Sequence, residues 1–261
     1  MIMKLKNTIA ILIMMVAGLQ TMKSQKIILH MSDNQKVEYE ISQLDSITID
    51  DEVYLTCPDD HHPHAIDLGL PSGTKWCCCN VEASTPEEYG GYYSWGETSE
   101  RSVYNWATNK YFIFDEETGK NLGFTKYCTK SSNGFHGFTD GKTELDLIDD
   151  VAHARMGEPW RMPSTAQIEE LINKCSCMWT QQNGVNGILV IGQNRGQIFL
   201  PAAGNRWTDD LYDAGSHGTY WSSSLVPDND FKACALSFSR DLYHTMECDR
   251  VSAISVRAVC P

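Results

Sequence analysis

Residues 157–175 read GEPWRMPSTAQIEELINKC, and their spacing decides what the rest of the chain has to do. Ser164 is a strong N-cap, and Gln167 three residues later completes a capping box, so a helix opens just after Pro163. Ile168, Leu171, Ile172 and Cys175 then recur at i, i+3, i+4 and i+7, which is one apolar stripe. Gln167, Glu169, Glu170, Asn173 and Lys174 take the other face, with the acids early and the lysine late, as the helix dipole favours. A helix with a single apolar stripe packs by one side only. Trp160 and Met162 read as further core anchors, and Arg161 between them as an ion-pair partner for one of the many acids.

Working outward, Ile148, Val151, Ala152 and Arg155 recur at helical spacing between an Asp146 cap and Gly157, a second, shorter helix. On the other side, Ile188–Ile191 and Gln197–Leu200 flank Gly192-Gln193-Asn194-Arg195-Gly196, a hairpin whose turn residues accept positive φ. A loop over 201–218 leads into a strand at Thr219–Ser224. Two more strands follow, one with Cys234, Leu236 and Phe238 alternating and one through Ile254, Val256, Ala258 and Cys260. Before the helices, AIDLGLPSGTKWCCCN (65–80) is strand, turn at Pro71-Ser72-Gly73, strand. EYGGYYSWGET (88–98) is an aromatic core-packing loop, and 99–141 reads as long ordered loops. The fold class is therefore α+β, with short antiparallel strands, two helices and long ordered loops.

The outer bounds come from composition. The chain has 261 residues, room for one large domain or two small ones. Lys4 and Lys6 precede an uncharged apolar run, Thr8–Leu19, and then polar Gln20–Ser24, so residues 1–24 read as a signal peptide, too short to span a membrane. Residues 25–56 form a small N-terminal β segment: Lys26–Met31 is a strand, Ser32-Asp33-Asn34 a turn, and Val37, Tyr39 and Ile41 alternate in a second strand, with Leu44, Ile47 and Ile49 continuing. Residues 57–64 read as a linker, and 65–261 as the main domain. Losing Lys4, Lys6 and Lys23, with no acid, takes the formal charge from −13 to −16. A nucleic-acid backbone would be repelled, and no stable membrane span is expected once the signal is cleaved.

All ten cysteines follow residue 24, and an oxidising compartment would favour disulfides whose connectivity cannot be read from spacing. Zinc would call for paired C-x-x-C or Cys/His spacing. Cys77-Cys78-Cys79 is contiguous, and Cys175-Ser176-Cys177 has one spacer. His61, His62 and His64 invite a metal, but a flexible linker offers no second shell to orient them. No metal ligands are assigned and no cofactor is expected; structural calcium on loop acids such as Asp209, Asp210 and Asp213 is the one ion left open. There is no G-x-S-x-G, P-loop or H-E-x-x-H. Asp149-Asp150 and Asp209-Asp210 are adjacent acids, which cap or face solvent far more often than they flank a sugar.

The ordered blocks AIDLGLPSGTKW, EYGGYYSWGET, LIDDVAHARMGEPWRMPS, NGVNGI, IFLPAAGNRW, GTYWSSS and SVRAV closely resemble the Fibrobacter succinogenes major paralogous domain family over residues 65–261. The resemblance implies a C-type-lectin-like fold, distantly similar to the sulfatase-modifying enzymes, with which Arg161–Ser164 and Val256-Arg257 are shared. It also implies that the first and last strands of the domain pair, bringing one of Cys77, Cys78 or Cys79 near Cys260. QLDSITID (43–50) is similar to a leader of exported proteins from Gram-negative gut anaerobes. Glu158-Pro159-Trp160 departs from the Glu-Pro-Asn ligand tripeptide of calcium-dependent lectins, and a Trp-Asn-Asp block is missing. The copper-binding cysteine context of the formylglycine-generating enzymes is not reproduced either, leaving only Cys234 and Cys248 as a pair to weigh.

The expectation is an exported chain, periplasmic, at the outer surface or secreted, acting as a non-enzymatic binding or adhesion module for an unknown extracellular protein or glycan. In lectin-like folds recognition falls to the loops between the later strands, here 203–219 and 239–252. The candidate ligand-binding residues are Arg206, Trp207, Tyr212, His217, Tyr243 and His244, types that supply contact area at modest entropic cost. The alternatives are an enzyme of the sulfatase-modifying kind and a subunit of a surface fibre assembled by strand pairing.

Overall fold

The structure is a computed structural model that describes residues 26–30, 36–40, 57, 59 and 61–261. The signal peptide over 1–24, the turn at 32–34 and the continuation at Leu44, Ile47 and Ile49 lie outside those residues. The chain divides into two compact units, Met1–Val53 and Tyr54–Pro261. In the first unit, β1 (Lys26–His30) and β2 (Lys36–Glu40) form the expected antiparallel hairpin, with Lys26 opposite Glu40 and His30 opposite Lys36.

The second unit is mostly β-sheet with few helices. The helix read from residues 157–175 is α2 (Thr165–Lys174), and its capping box is complete: the Gln167 N–H donates to Ser164 Oγ, and Gln167 Oε1 accepts from the Ser164 N–H. The shorter helix is α1 (Val151–Met156). Its cap is Asp150, because Leu147–Asp149 forms a separate 3-10 turn behind Asp146. Trp160 and Met162 are buried as expected. Arg161 is exposed and makes no ion pair among the described residues; its backbone bridges to Val259 instead.

Three sheets carry the unit. The first joins β3 (Ala65–Asp67), β4 (Lys75–Asn80) and β15 (Arg257–Cys260), with β4 in the middle. The second is β7 (Ser176–Gln182), β8 (Val185–Ile191) and β9 (Gln197–Pro201). The third is β12 (Gly218–Val226), β13 (Asn229–Phe238) and β14 (Tyr243–Asp249). Two further hairpins form separate two-stranded sheets, β5 (Phe112–Asp115) with β6 (Lys120–Phe124) and β10 (Asn205–Trp207) with β11 (Asp210–Tyr212).

Strand alternation sends side chains to two cores. Leu236 and Phe238 of β13 join Ile168 and Leu171 of α2, Trp76 of β4 and Val259 of β15 in one. Ala233 and Ala235, on the other face of β13, join Trp221, Trp95, Tyr93, Val256 and the Cys77–Cys79 run in the second. α2 thus covers one side of the layer, which is what its single stripe requires.

The sequence reading departs from the structure at four places. β7 continues directly from α2 and pairs along its length with β8, making a three-stranded sheet where a two-stranded hairpin was expected. The segment 239–252, expected as a long loop, is mostly β14, joined to β13 by a tight turn over 239–242. The loop over 203–219 contains the β10–β11 hairpin, and β5–β6 lies within the expected loops of 99–141.

Buried charge is handled by dense hydrogen bonding. The Asp149 carboxylate accepts from Lys110 Nζ (2.8 Å), Lys126 Nζ (2.5 Å), Tyr127 Oη (2.7 Å) and Tyr111 Oη. Burial alone would raise its pKa, but these donors together hold it well below the usual carboxylate range. Arg250 is fully buried, donates to the carbonyls of Tyr127 (3.0 Å) and Asp230 (2.9 Å), and lies over the rings of Trp95 and Phe124. Burial brings its pKa down to about 10.

Candidate functional site

Two groups of side chains fall outside the needs of the core. The first is the aromatic set read from the late segments. Across β10–β11, Asn205 faces Tyr212, Arg206 faces Leu211 and Trp207 faces Asp210. Alternation therefore puts Trp207 and Tyr212 on one face of the hairpin and Arg206 on the other. The Arg206 guanidinium lies 5.2 Å from the centre of the Tyr92 ring, so that face is turned to the body of the domain. Trp207 and Tyr212 are 37% and 44% exposed, and Tyr212 Oη donates to Asp210 Oδ2 at 3.3 Å.

The hairpin is fastened at both ends. Arg206 bridges to Ala253, Thr208 to Tyr104, and Gly204 to Gly218. Gly204 has φ +68°, and a Cβ there would lie 2.1 Å from the Tyr212 carbonyl oxygen, so the base of the hairpin requires glycine.

His217 is exposed, with Nδ1 3.2 Å from Ser216 Oγ, and its carbonyl accepts from the Gly204 N–H. Gly218 pairs with Phe238 and Phe238 with Tyr243, so Gly204, Gly218, Phe238 and Tyr243 form a row across one end of the third sheet. Three inter-strand steps make that row about 14 Å wide. Tyr243 and His244 are consecutive on β14 and point to opposite faces, Tyr243 with Phe238 and His244 with Ser237. The base of the β10–β11 hairpin, His217 beside Gly218, and Tyr243 thus lie along one end of the third sheet, whereas Arg206 serves as a brace and His244 lies on the other face of its strand.

The remaining readings fare unevenly. Asp209, Asp210 and Asp213 are exposed around the same hairpin. Cys234 pairs across from Glu247, and Cys248 from Ala233, so these two thiols leave the β13–β14 pair on opposite faces. β15 does run beside β4, with Cys260 opposite Lys75, and all ten cysteines are unbridged.

The second group carries no assignment in the sequence reading. Cys57, His62, Cys78 and Cys79 place four ligand-type atoms within 4.8 Å of one another. His62 Nδ1 lies 3.1 Å from Cys57 Sγ, 3.3 Å from Cys78 Sγ and 3.4 Å from Cys79 Sγ, and the Cys78 and Cys79 sulfurs are 3.5 Å apart. A bulge makes this possible. Arg257 pairs with Asn80 but Val259 with Trp76, so β4 carries extra residues over Cys77–Cys79 that β15 does not match. In a regular strand Cys78 and Cys79 would point to opposite faces; the bulge turns both sulfurs to one place.

The supporting shell is built from the same short segment. His64 donates its backbone N–H to Cys78 Sγ at 3.2 Å and accepts from the Cys78 N–H at 3.0 Å. Its Nδ1 lies 3.2 Å from Cys57 Sγ, while its Nε2 meets Asp59 Oδ1 at 3.1 Å. Arg257, fully buried, donates to Asn80 Oδ1 (2.8 Å) and to the carbonyls of Cys77 (3.0 Å), Cys78 (2.5 Å) and Phe199 (2.8 Å), fixing the bulged backbone from behind. Hydrogen bonds from the Cys77 and Cys79 thiols, then the His64 N–H and His62, hold the Cys78 thiol far below the usual thiol range against the effect of burial. Burial, followed by the neighbouring Cys78, pushes the Cys57 thiol up to about 12. The signal present in the sequence was the pairing of a histidine-rich 61–64 with a cysteine-rich 77–79, which only the β3–β4 hairpin brings together.

In comparisons with known proteins, no family profile, no curated protein and no solved structure matches the chain.

Proposed function

We propose that the chain is an exported, non-enzymatic binding or adhesion module whose main domain, 65–261, has a C-type-lectin-like fold and recognises an extracellular protein or glycan. The observation that carries this is the β10–β11 hairpin. It presents Trp207 and Tyr212 together on its outer face, is braced from behind by Arg206 on Tyr92, and is fastened at Ala253, Tyr104 and Gly218. Large aromatic rings fixed on a rigid support lose little entropy on binding and dominate contact energy where they are buried by a partner. Exposed His217 and Tyr243 lie along the adjoining end of the third sheet.

A sulfatase-modifying enzyme is the competing reading, and it needs two cysteines converging on one metal. The opposite orientations of Cys234 and Cys248 weigh against it. Subunit assembly through the edges of β1–β2 is the third, favoured only by the short two-stranded sheet, which is marginal on its own.

Glycan and host-protein arrays probed with the purified mature chain test the proposal. Trp207→Ala combined with Tyr212→Ala should weaken any captured partner by about 2 kcal/mol or more with the thermal midpoint preserved. Undiminished binding by that folded double variant would remove the hairpin from the site, and copper-dependent oxygen consumption by the wild type would favour the enzyme.

A further inference from the structure

We propose that Cys57, His62, Cys78 and Cys79 form a closed tetrahedral site for a soft divalent cation, zinc(II) by the chemistry of its donors, which ties Cys57 and His62 to strand β4.

The geometry of the four atoms argues for this directly. Zinc bonds of about 2.3 Å to sulfur and 2.0–2.1 Å to nitrogen set tetrahedral edges of about 3.5–3.8 Å. Four of the six edges, at 3.1, 3.3, 3.4 and 3.5 Å, approach that figure from below, and the two from Cys57 Sγ to the Cys78 and Cys79 sulfurs lie within 4.8 Å. Hydrogen bonding alone does not account for the arrangement. One imidazole Nδ1 has a single lone pair or a single proton, yet three sulfurs surround it within 3.4 Å. A cation among them would engage all four donors at once. A disulfide between any two of the cysteines would leave the histidine nitrogen facing bonded sulfur, a poor partner for it.

Three thiolates and one imidazole are a soft donor set that selects zinc over calcium or magnesium, and four protein ligands with no open position mark a structural site. The outer shell has the features such sites need. Asp59 orients His64 against the Cys57 sulfur, the His64 N–H donates to the Cys78 sulfur, and Arg257 holds the carbonyls of Cys77 and Cys78. Cys78 and Cys79 are buried and Cys57 and His62 half-buried, so the four donors are largely shielded from solvent.

The full chain, purified under reducing conditions with zinc(II) present and then gel-filtered, should carry one zinc per chain by elemental analysis. Cobalt(II) titration should give the intense visible absorption of a tetrahedral, thiolate-rich centre, saturating at one equivalent. Cys57→Ser and Cys79→Ser should each abolish stoichiometric retention, Cys175→Ser should leave it unchanged, and His64→Ala, which removes the ring against the Cys57 sulfur, should weaken zinc binding by about 10–100-fold. Should the ligand variants not fold, the cobalt spectrum of the wild type decides alone. Substoichiometric zinc, an octahedral cobalt spectrum, or retention by a folded Cys57→Ser/Cys79→Ser double variant would overturn the site. A disulfide among Cys57, Cys78 and Cys79 in a chain that takes up no zinc after reduction would overturn it equally.

Discussion

Arg257 is a buried cation that ties several distant segments together. Its guanidinium supplies four buried acceptors, one side-chain oxygen and three carbonyls, with no carboxylate ion-paired to it among the described residues. Arginine suits this place because its planar fork reaches several acceptors at fixed angles, which lysine cannot do. Arg257→Lys should leave at least one or two buried acceptors unpaired, at about 1–3 kcal/mol each, and the urea midpoint is the measurement. Asp149 gives a second prediction, in pH. Its folded pKa lies below the ordinary value of 3.8, so the stability it contributes is present above that value and is lost as pH falls through the folded one. Asp149→Asn should cost about 3 kcal/mol or more at pH 7, and the gap from wild type should narrow as denaturation is repeated toward pH 3. A gap that stayed constant with pH would mean that the amide loses packing rather than charge. Neither role is visible in the sequence, because the partners of Arg257 and Asp149 come from segments far apart in the chain.

Elements specified by their own residues were the most legible. α2 follows from a capping box and a 3.6-residue stripe, both local, and it forms where they predict. Ser164→Ala should remove the cap at about 0.5–2 kcal/mol, and Leu171→Ala, at a fully buried position, should cost about 2–5 kcal/mol. Glu169→Ala on the exposed face should change the urea midpoint little, and a loss there equal to that of Leu171→Ala would contradict the one-sided packing of this helix. β7 and β14 were illegible for a physical reason. SCMWTQQ and YHTMECD are half-exposed strands, β14 at a sheet edge, so polar residues interrupt the alternation that a fully one-sided strand would show. The Cys/His cluster escaped similarly. Its ligands come from a segment without regular structure and from a bulge, and a bulge breaks the period by which strand residues are assigned to a face.

At the scale of the whole molecule, the proposed export rests on Lys4, Lys6 and the apolar run that follows them, and N-terminal sequencing of the native protein should begin near Gln25; an intact Met1 in a cytosolic fraction would refute it. The pairing of β15 with β4 has a further consequence, in time. Arg257 and Asn80 stand 177 residues apart, so the sheet behind the bulge cannot close until nearly all of the intervening chain exists. At roughly 5–20 residues per second, that interval is about 9–35 seconds of synthesis. During it Cys78 and Cys79 are already made but lack the guanidinium that fixes their backbone. The nascent chain therefore passes through a window in which its thiols are open to wrong partners, and oxidants met early should harm its yield far more than the same oxidants met after β15 has docked.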